Sequence, residues 1–231
     1  MISVIHSADR HHADHGWLET NWHFSFGDYH DPANMNWSEL RVFNDDVIRG
    51  GGGFPMHPHR DMEIVTYVVD GQLEHQDQLG NHGLVQPGEV QVMSAGTGIR
   101  HAEFNASETQ PVHLMQLWIM PKHQGNKPRW EQRKFSPEQR AGKLLPVVSS
   151  GNVSDTLAID QDATIYVSAL KPGESVKHEN QGSHAYLFLI DGSITLNGKT
   201  LAKGDQAKVA NEKVLEISAE SNAELILLDL P

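Results

Sequence analysis

One cadence constrains this chain more than any other feature, and it occurs twice. An apolar run is followed by Asp-Gly, a second run, a glycine turn, and then a glycine beside an acid. Residues 66 to 89 read TYVVDGQLEHQDQLGNHGLVQPGE, and residues 186 to 205 read YLFLIDGSITLNGKTLAKGD. Asp-Gly between strand-like runs signals a hairpin, because tight hairpin turns favour residues that tolerate positive φ. The remaining strong runs, MEIVTYVVDG, VHLMQLWIM and AELILLDL, are rich in β-branched, leucine and aromatic residues and are mostly bounded by glycine, proline, aspartate or asparagine. Sustained helical periodicity is missing. The best helix candidate is SPEQRAGK, with Ser136 as N-cap and Pro137 at the first helical position. The expected fold class is therefore all-β, with two tandem double-sheet barrels. Residues 121–143 are rich in proline, lysine, arginine and glutamine, which places an N-terminal domain at 1–130 and a C-terminal domain at 131–231.

A chain of 231 residues is long enough for two modest cores. Its 38% hydrophobic and 21% charged content is that of an ordinary soluble protein. Apolar runs such as YLFLI fall far short of the roughly 20 residues a spanning helix needs. The start, MISVIHSADRHH, lacks a basic segment followed by an apolar one, so neither a signal peptide nor a membrane partner is expected. The absence of cysteine excludes disulfides and thiolate metal sites and fits a reducing compartment; a cytoplasmic location is expected. Net charge is −12, and the densest basic stretch, KPRWEQRK at 127–134, is short and carries a glutamate. Direct nucleic-acid binding is not expected.

Histidine is over-used: 15, against 18 lysines and arginines together. Most of these are expected to be surface or hydrogen-bonded side chains, but two pairs stand apart. In a strand, residues i and i+2 share a face. His57 and His59 in FPMHPHRDME therefore project together, as do His101 and Glu103 in GTGIRHAEFN. Two such pairs on neighbouring strands bring three imidazoles and one carboxylate to a point. That donor set suits a divalent transition ion with positions left open for other ligands. Glu63 shares the parity of His59 but lies four residues on, roughly 13 Å along a straight strand at about 3.3 Å per residue. Glu103 is thus the expected carboxylate ligand, with Glu63 a neighbour. His75 and His113 lie in strand-like segments and are expected to be hydrogen-bonded core. Phe54, Met56, Phe43 and Met115 are candidates for an apolar lining, with plain core as the competing role for each. The second copy carries His178 and His184, but the stretch matching His101 is VLEIS at 214–218, with no histidine. The first copy is therefore expected to hold metal and the second to lack it.

These residues resemble the two cupin motifs. GGGFPMHPHRDME matches the first through Gly51, His57, His59 and Glu63, with Gly71 one residue later than the common spacing. GTGIRHAEFN matches the second through Gly98, His101 and Asn105, with Gly96 where proline is usual. More narrowly, GWLETNWHFSFGDYHDP, LRVFNDD, HPHRDMEIVTYVVDG and SAGTGIRHAEFN resemble pirins across roughly residues 16 to 121. The resemblance implies a bicupin, two jelly-roll (double-stranded β-helix) domains of which the C-terminal one is degenerate and metal-free. It implies His57, His59, His101 and Glu103 as ligands of one divalent transition metal, iron first, with manganese, cobalt, nickel, copper or zinc suiting the same donors. Bacterial pirins of this pattern are known as quercetin 2,3-dioxygenases, which implies a flavonol and dioxygen as substrates, carbon monoxide as a product, and Glu103 as the catalytic base. The alternative implied by the family is a non-enzymatic, metal-dependent regulator that binds a protein partner. A monomer is expected on the same resemblance.

Overall fold

The computed structural model describes residues 1–231. It is built almost wholly from antiparallel strands. The expected helix forms at Pro137–Arg140, and the Gln139 side chain accepts from the Ser136 N–H at 2.7 Å. It ends there because Ala141 turns extended and bridges to Ala169.

The chain divides into two compact units. The first comprises His11–Lys134 with Ile159–Gln161, and the second Met1–Arg10, Phe135–Ala158 and Asp162–Pro231. A plain division into 1–130 and 131–231 therefore needs three additions. Arg129–Lys134, inside the proline- and lysine-rich stretch, is an edge strand of the first unit, paired with Glu89–Ser94. Ile159–Gln161 also joins the first unit, and Ile2–Ile5 pairs with Gln206–Ala210 of the second. Pairing of that kind leaves fewer open backbone donors and acceptors along a sheet edge.

Each unit pairs a seven-stranded sheet with a four-stranded one. In the first, the large sheet runs Arg129–Lys134, Glu89–Ser94, Glu63–Asp70, Val112–Ile119, Leu40–Ile48, Leu18–Trp22, His11–Asp14. Its small sheet runs Gly53–His59, Ile99–Asn105, Leu73–Asp77, His82–Val85. In the second unit the small sheet runs Ser175–Glu179, Val214–Ala219, Ser193–Leu196, Lys199–Ala202, the same order of elements. The repeated Asp-Gly is where the two copies agree most closely. Gly71 has φ +78 and Gly192 φ +88, and a Cβ there would lie 2.5 Å from the Pro111 carbonyl oxygen and 2.0 Å from that of Asn222. Only glycine meets both demands.

The cores differ. The second unit has a large apolar cluster that includes Leu187, Leu189, Ile194, Leu196, Leu215, Ile217, Leu225 and Leu227. Apolar packing in the first includes a cluster around Leu18, Ile48, Val68 and Leu114 and another around Ile64, Met93 and Ile99. Thr20, Asn44, Asp46, His75, Asp77, Gln91, His101 and Glu103 are buried in that unit instead. Buried polar groups are costly without partners, so their concentration in one barrel marks a site rather than a core.

Candidate metal centre

The strand Ile99–Asn105 lies between Gly53–His59 and Leu73–Asp77. His101 stands opposite His57 on one side and Asp77 on the other, and Glu103 stands opposite His75. Directly opposed residues of antiparallel strands share a face. That face of the small sheet thus carries His57, His59, His75, Asp77, His101 and Glu103. Between His101 and Glu103 the pairing with Gly53–His59 shifts, so that Glu103 meets Phe54. This bulge adds a residue on the Phe54 side and bends the strand where the histidines are presented.

His57, His59 and His101 offer nitrogens that all lie within 4.8 Å of one another. Their rings are close: 4.4 Å between the centroids of His57 and His101, 4.8 Å for His57 and His59, and 4.9 Å for His59 and His101. Glu103 falls in an overlapping set with His75 and His101, under the same 4.8 Å limit. The structure therefore gathers the three histidines directly and joins Glu103 to them through His101. Glu63 belongs to neither set. It sits on the large sheet, buried, where it accepts a 2.5 Å hydrogen bond from the Ser94 hydroxyl, and burial raises its pKa.

The imidazoles are arranged as neutral donors. Burial, reinforced by the neighbouring His101 and His57 rings, pushes His59 down to about 3. Burial, with His57 and His75, does the same to His101, also to about 3. The His57 Nδ1–H donates to the Pro55 carbonyl at 2.8 Å, which leaves Nε2 with a bare lone pair. The His101 Nε2 is buried with no hydrogen-bond partner. An orphaned buried nitrogen beside two other lone-pair nitrogens is what a cation fits. Glu103 is held by two amides from the facing sheet, Gln116 Nε2–H donating at 2.7 Å and Gln91 Nε2–H at 3.4 Å. The Trp118 indole N–H in turn donates to Gln116 Oε1 at 3.2 Å, which fixes the orientation of that amide.

A cavity of about 440 Å³ opens over this face. Its lining includes His57, His59 and Glu103, the aromatic rings of Trp17, Trp22, Phe26, Phe54 and Trp118, and the polar groups Asn44, Asp46 and Gln116. Trp118 meets His59 edge-on at 4.8 Å, and Phe26 meets Trp118 at 5.4 Å. Asp46 is wholly buried, accepts from the Thr20 hydroxyl, and burial raises its pKa from 3.8 to about 7. Of the lining residues read from sequence, Phe54 is present. Phe43 and Met115 are fully buried and Met56 is 41% exposed, none of them on the cavity wall. His75 is buried against His101, as a hydrogen-bonded core histidine would be, whereas His113 is paired with Asp45 at 2.7 Å but keeps 30% of its side chain exposed.

The tryptophans, Gln116 and Asp46 lie outside the two pairs that strand parity marks in the sequence. Gln116 carried a signal, a lone amide inside the apolar run VHLMQLWIM. The others come from the large sheet, and parity along one strand does not say which residues of a second sheet face it.

The Pirin family model matches residues 5–119, and that of the quercetinase C-terminal cupin domain matches residues 146–230. A protein named Quercetin 2,3-dioxygenase from Escherichia coli K12 is 46% identical over 233 residues, covering 100% of this chain and 99% of its own. A Pirin-like protein of Caulobacter vibrioides is 46% identical over 219 residues, covering 94% of each. The crystal structure of the bacterial pirin YhhW from Escherichia coli, in complex with nickel(II), superposes with a TM-score of 0.95 at 43% identity, covering 100% of this chain and 99% of the other.

Proposed function

This chain belongs to the pirin family, and from that premise we propose that it is a metal-dependent dioxygenase that opens the central ring of flavonols such as quercetin and releases carbon monoxide. The observation that carries this reading is the aromatic-walled cavity of about 440 Å³ with His57, His59 and Glu103 in its lining. A volume of that size lies within the range of small-molecule sites, which is roughly 300–1,000 Å³. The names of the relatives support the same reaction class, and the nickel(II) complex of the 43% identical relative supports a divalent metal.

In the proposed centre, His57, His59, His101 and Glu103 hold one divalent transition ion, iron first. When bound it supplies Lewis acidity, which lowers the pKa of a hydroxyl placed against it. The chain's own groups do the rest. The ring faces and edges of Trp17, Trp22, Phe26, Phe54 and Trp118 take a flat three-ring substrate in offset and edge-on contacts. The same walls keep water from the reacting carbon atoms. Glu103 receives the proton of the substrate 3-hydroxyl on a carboxylate oxygen, as a general base. Gln116 and Gln91 keep that carboxylate aimed, so its position does not depend on the substrate. We propose also that the second unit holds no metal. Leu215 and Ile217 stand where His101 and Glu103 stand in the first, and Leu196 stands where His75 does.

The test is to load the protein in turn with iron, manganese, cobalt, nickel and copper, and to follow quercetin absorbance together with carbon monoxide release. At least one metal is expected to give turnover well above a His101→Ala control. No difference from that control with any metal would end the dioxygenase reading.

A further inference from the structure

The small sheet carries a third i, i+2 pair that the proposed reaction does not use. His75 and Asp77 lie on Leu73–Asp77, immediately beside the strand of His101 and Glu103. Both side chains are fully buried. The His75 Nδ1 faces the His101 Nδ1 at 3.4 Å, and the His75 Nε2 lies 3.7 Å from Asp77 Oδ2. Neither His75 Nε2 nor His101 Nε2 has a hydrogen-bond partner.

The order of hydrogens along this row follows from what its far end can do. Asp77 is committed as an acceptor on both oxygens. Oδ1 takes the N–H groups of Leu79 at 2.9 Å and Asn81 at 3.0 Å, and Oδ2 takes the Asn81 side-chain amide at 2.8 Å. A carboxylate fixed in this way favours the His75 tautomer with hydrogen on Nε2, because a bare nitrogen at that distance would set lone pair against lone pair. Neutral His75 then has a bare Nδ1 toward His101. Two bare nitrogens at 3.4 Å repel, so His101 carries its hydrogen on Nδ1 and leaves Nε2 bare. His57 reaches the same state through Pro55. A partner on the far nitrogen is the usual means of fixing a metal-binding imidazole's tautomer and ring orientation.

The position of the His75 ring is itself built. It stacks on Trp130 with centroids 5.4 Å apart and planes 15° from parallel. The residue opposite His75 on the next strand is Gly83, where a Cβ would lie 2.5 Å from the Trp130 ring. Glycine there leaves room for the tryptophan that clamps the histidine.

We propose that His75 and Asp77 are positioning residues: the row Asp77–His75–His101 presets the His101 tautomer so that Nε2 is offered to the metal. The proposal rests on the metal reading above, but its first test does not need metal. Long-range proton–nitrogen correlation of the metal-free, ¹⁵N-labelled protein reports each ring's tautomer. The expected result is hydrogen on Nδ1 of His101 and on Nε2 of His75. Hydrogen on Nε2 of His101 would overturn the proposal, whatever the protein does with metal.

Two substitutions give the second test, read as nickel(II) affinity with melting temperature as the folding control. His75→Asn keeps an oxygen acceptor close to where Nδ1 stood and is expected to bind within a few-fold of the native protein. His75→Leu removes it and is expected to weaken binding by about 10- to 100-fold. Folded His75→Asn protein that loses the metal would overturn the proposal by making His75 a ligand. Equal affinity in both variants would overturn it by making His75 irrelevant. Failure of the native protein itself to bind any divalent ion would sink the metal reading instead, leaving the tautomers to decide the hydrogen-bond row.

Discussion

Two barrels of one chain share an order of strands and differ in what they turn inward. Pairing register aligns their small sheets residue by residue. His57 and His59 correspond to His178 and Asn180, His75 to Leu196, and His101 and Glu103 to Leu215 and Ile217, while the tighter second hairpin has no counterpart of Asp77. Three of the six polar positions have become apolar, and one has no counterpart. Asn180 donates to the Glu212 carbonyl at 2.6 Å, and His178 is paired with Asp229 at 3.0 Å and bounded by Tyr166. The comparison teaches that the scaffold specifies where a site would lie, while a handful of inward side chains decide whether one exists. It also shows the cost of having one. The inward face of the second small sheet joins a large apolar cluster, whereas the first gives that face to buried polar groups that each need a partner.

The sharpest way to break the comparison is to remove matched residues. His101→Ala is expected to reduce bound metal to background and quercetin turnover by more than about 100-fold, beyond the loss typical of supporting residues. Leu215→Ala, at the matched position, is expected to leave metal content and turnover intact and to cost about 2–5 kcal/mol of stability through a cavity. His178→Ala should behave like Leu215→Ala, with a smaller loss of about 1–3 kcal/mol from the lost hydrogen bond to Asp229, which keeps the Gln181 and Gly182 N–H groups. Metal analysis and thermal melts of the three variants check all of this. A loss of metal in either C-terminal variant would erase the distinction between the barrels.

Acid should act through the first barrel. In the metal-free protein His59 and His101 stay neutral down to about 3, whereas the unfolded chain protonates near the ordinary 6.5. Between those values the unfolded state binds more protons, so stability present above pH 6.5 is lost as pH falls toward 3. Asp46 works in the opposite sense. Its carboxyl is raised from 3.8 to about 7, so it costs stability as pH rises across that window. Two histidines outweigh one aspartate, and net acid destabilisation is expected. Asp46→Asn should raise stability at pH 8 by up to about 4 kcal/mol, less whatever the Thr20 hydrogen bond contributes, and have little effect at pH 3.5. Melting temperature against pH for both proteins reads these slopes. The smallest expected effect belongs to Gln116→Ala, which frees one oxygen of Glu103. Metal content should hold and turnover fall about tenfold, roughly 1.4 kcal/mol of barrier.

Much of this was legible in the sequence, for a physical reason. Strand parity is local, so His57 with His59 and His101 with Glu103 announce a shared face without any knowledge of the fold. The repeated Asp-Gly announces two copies, because Gly71 and Gly192 have both a positive φ and no room for a Cβ. Parity would also have paired His75 with Asp77, but EHQDQ looks like a solvated hairpin strand until its neighbours are known. What could not be read was the content of the facing sheet. Trp22, Trp118, Gln116 and Asp46 reach the cavity because two sheets pack in one particular register. Met115 and Phe43, nearby in sequence, point into the core instead. The strand Ile2–Ile5 joins the second unit through the edge of Gln206–Ala210, a long-range pairing with no local signature.

Anomalous diffraction from crystals of the nickel(II)-loaded protein tests the central claim most directly. The account predicts one peak per chain, bounded by nitrogens of His57, His59 and His101 and an oxygen of Glu103. A peak beside His178 and Asp229, or one held by His75, His101 and Glu103 without the first two histidines, would contradict it.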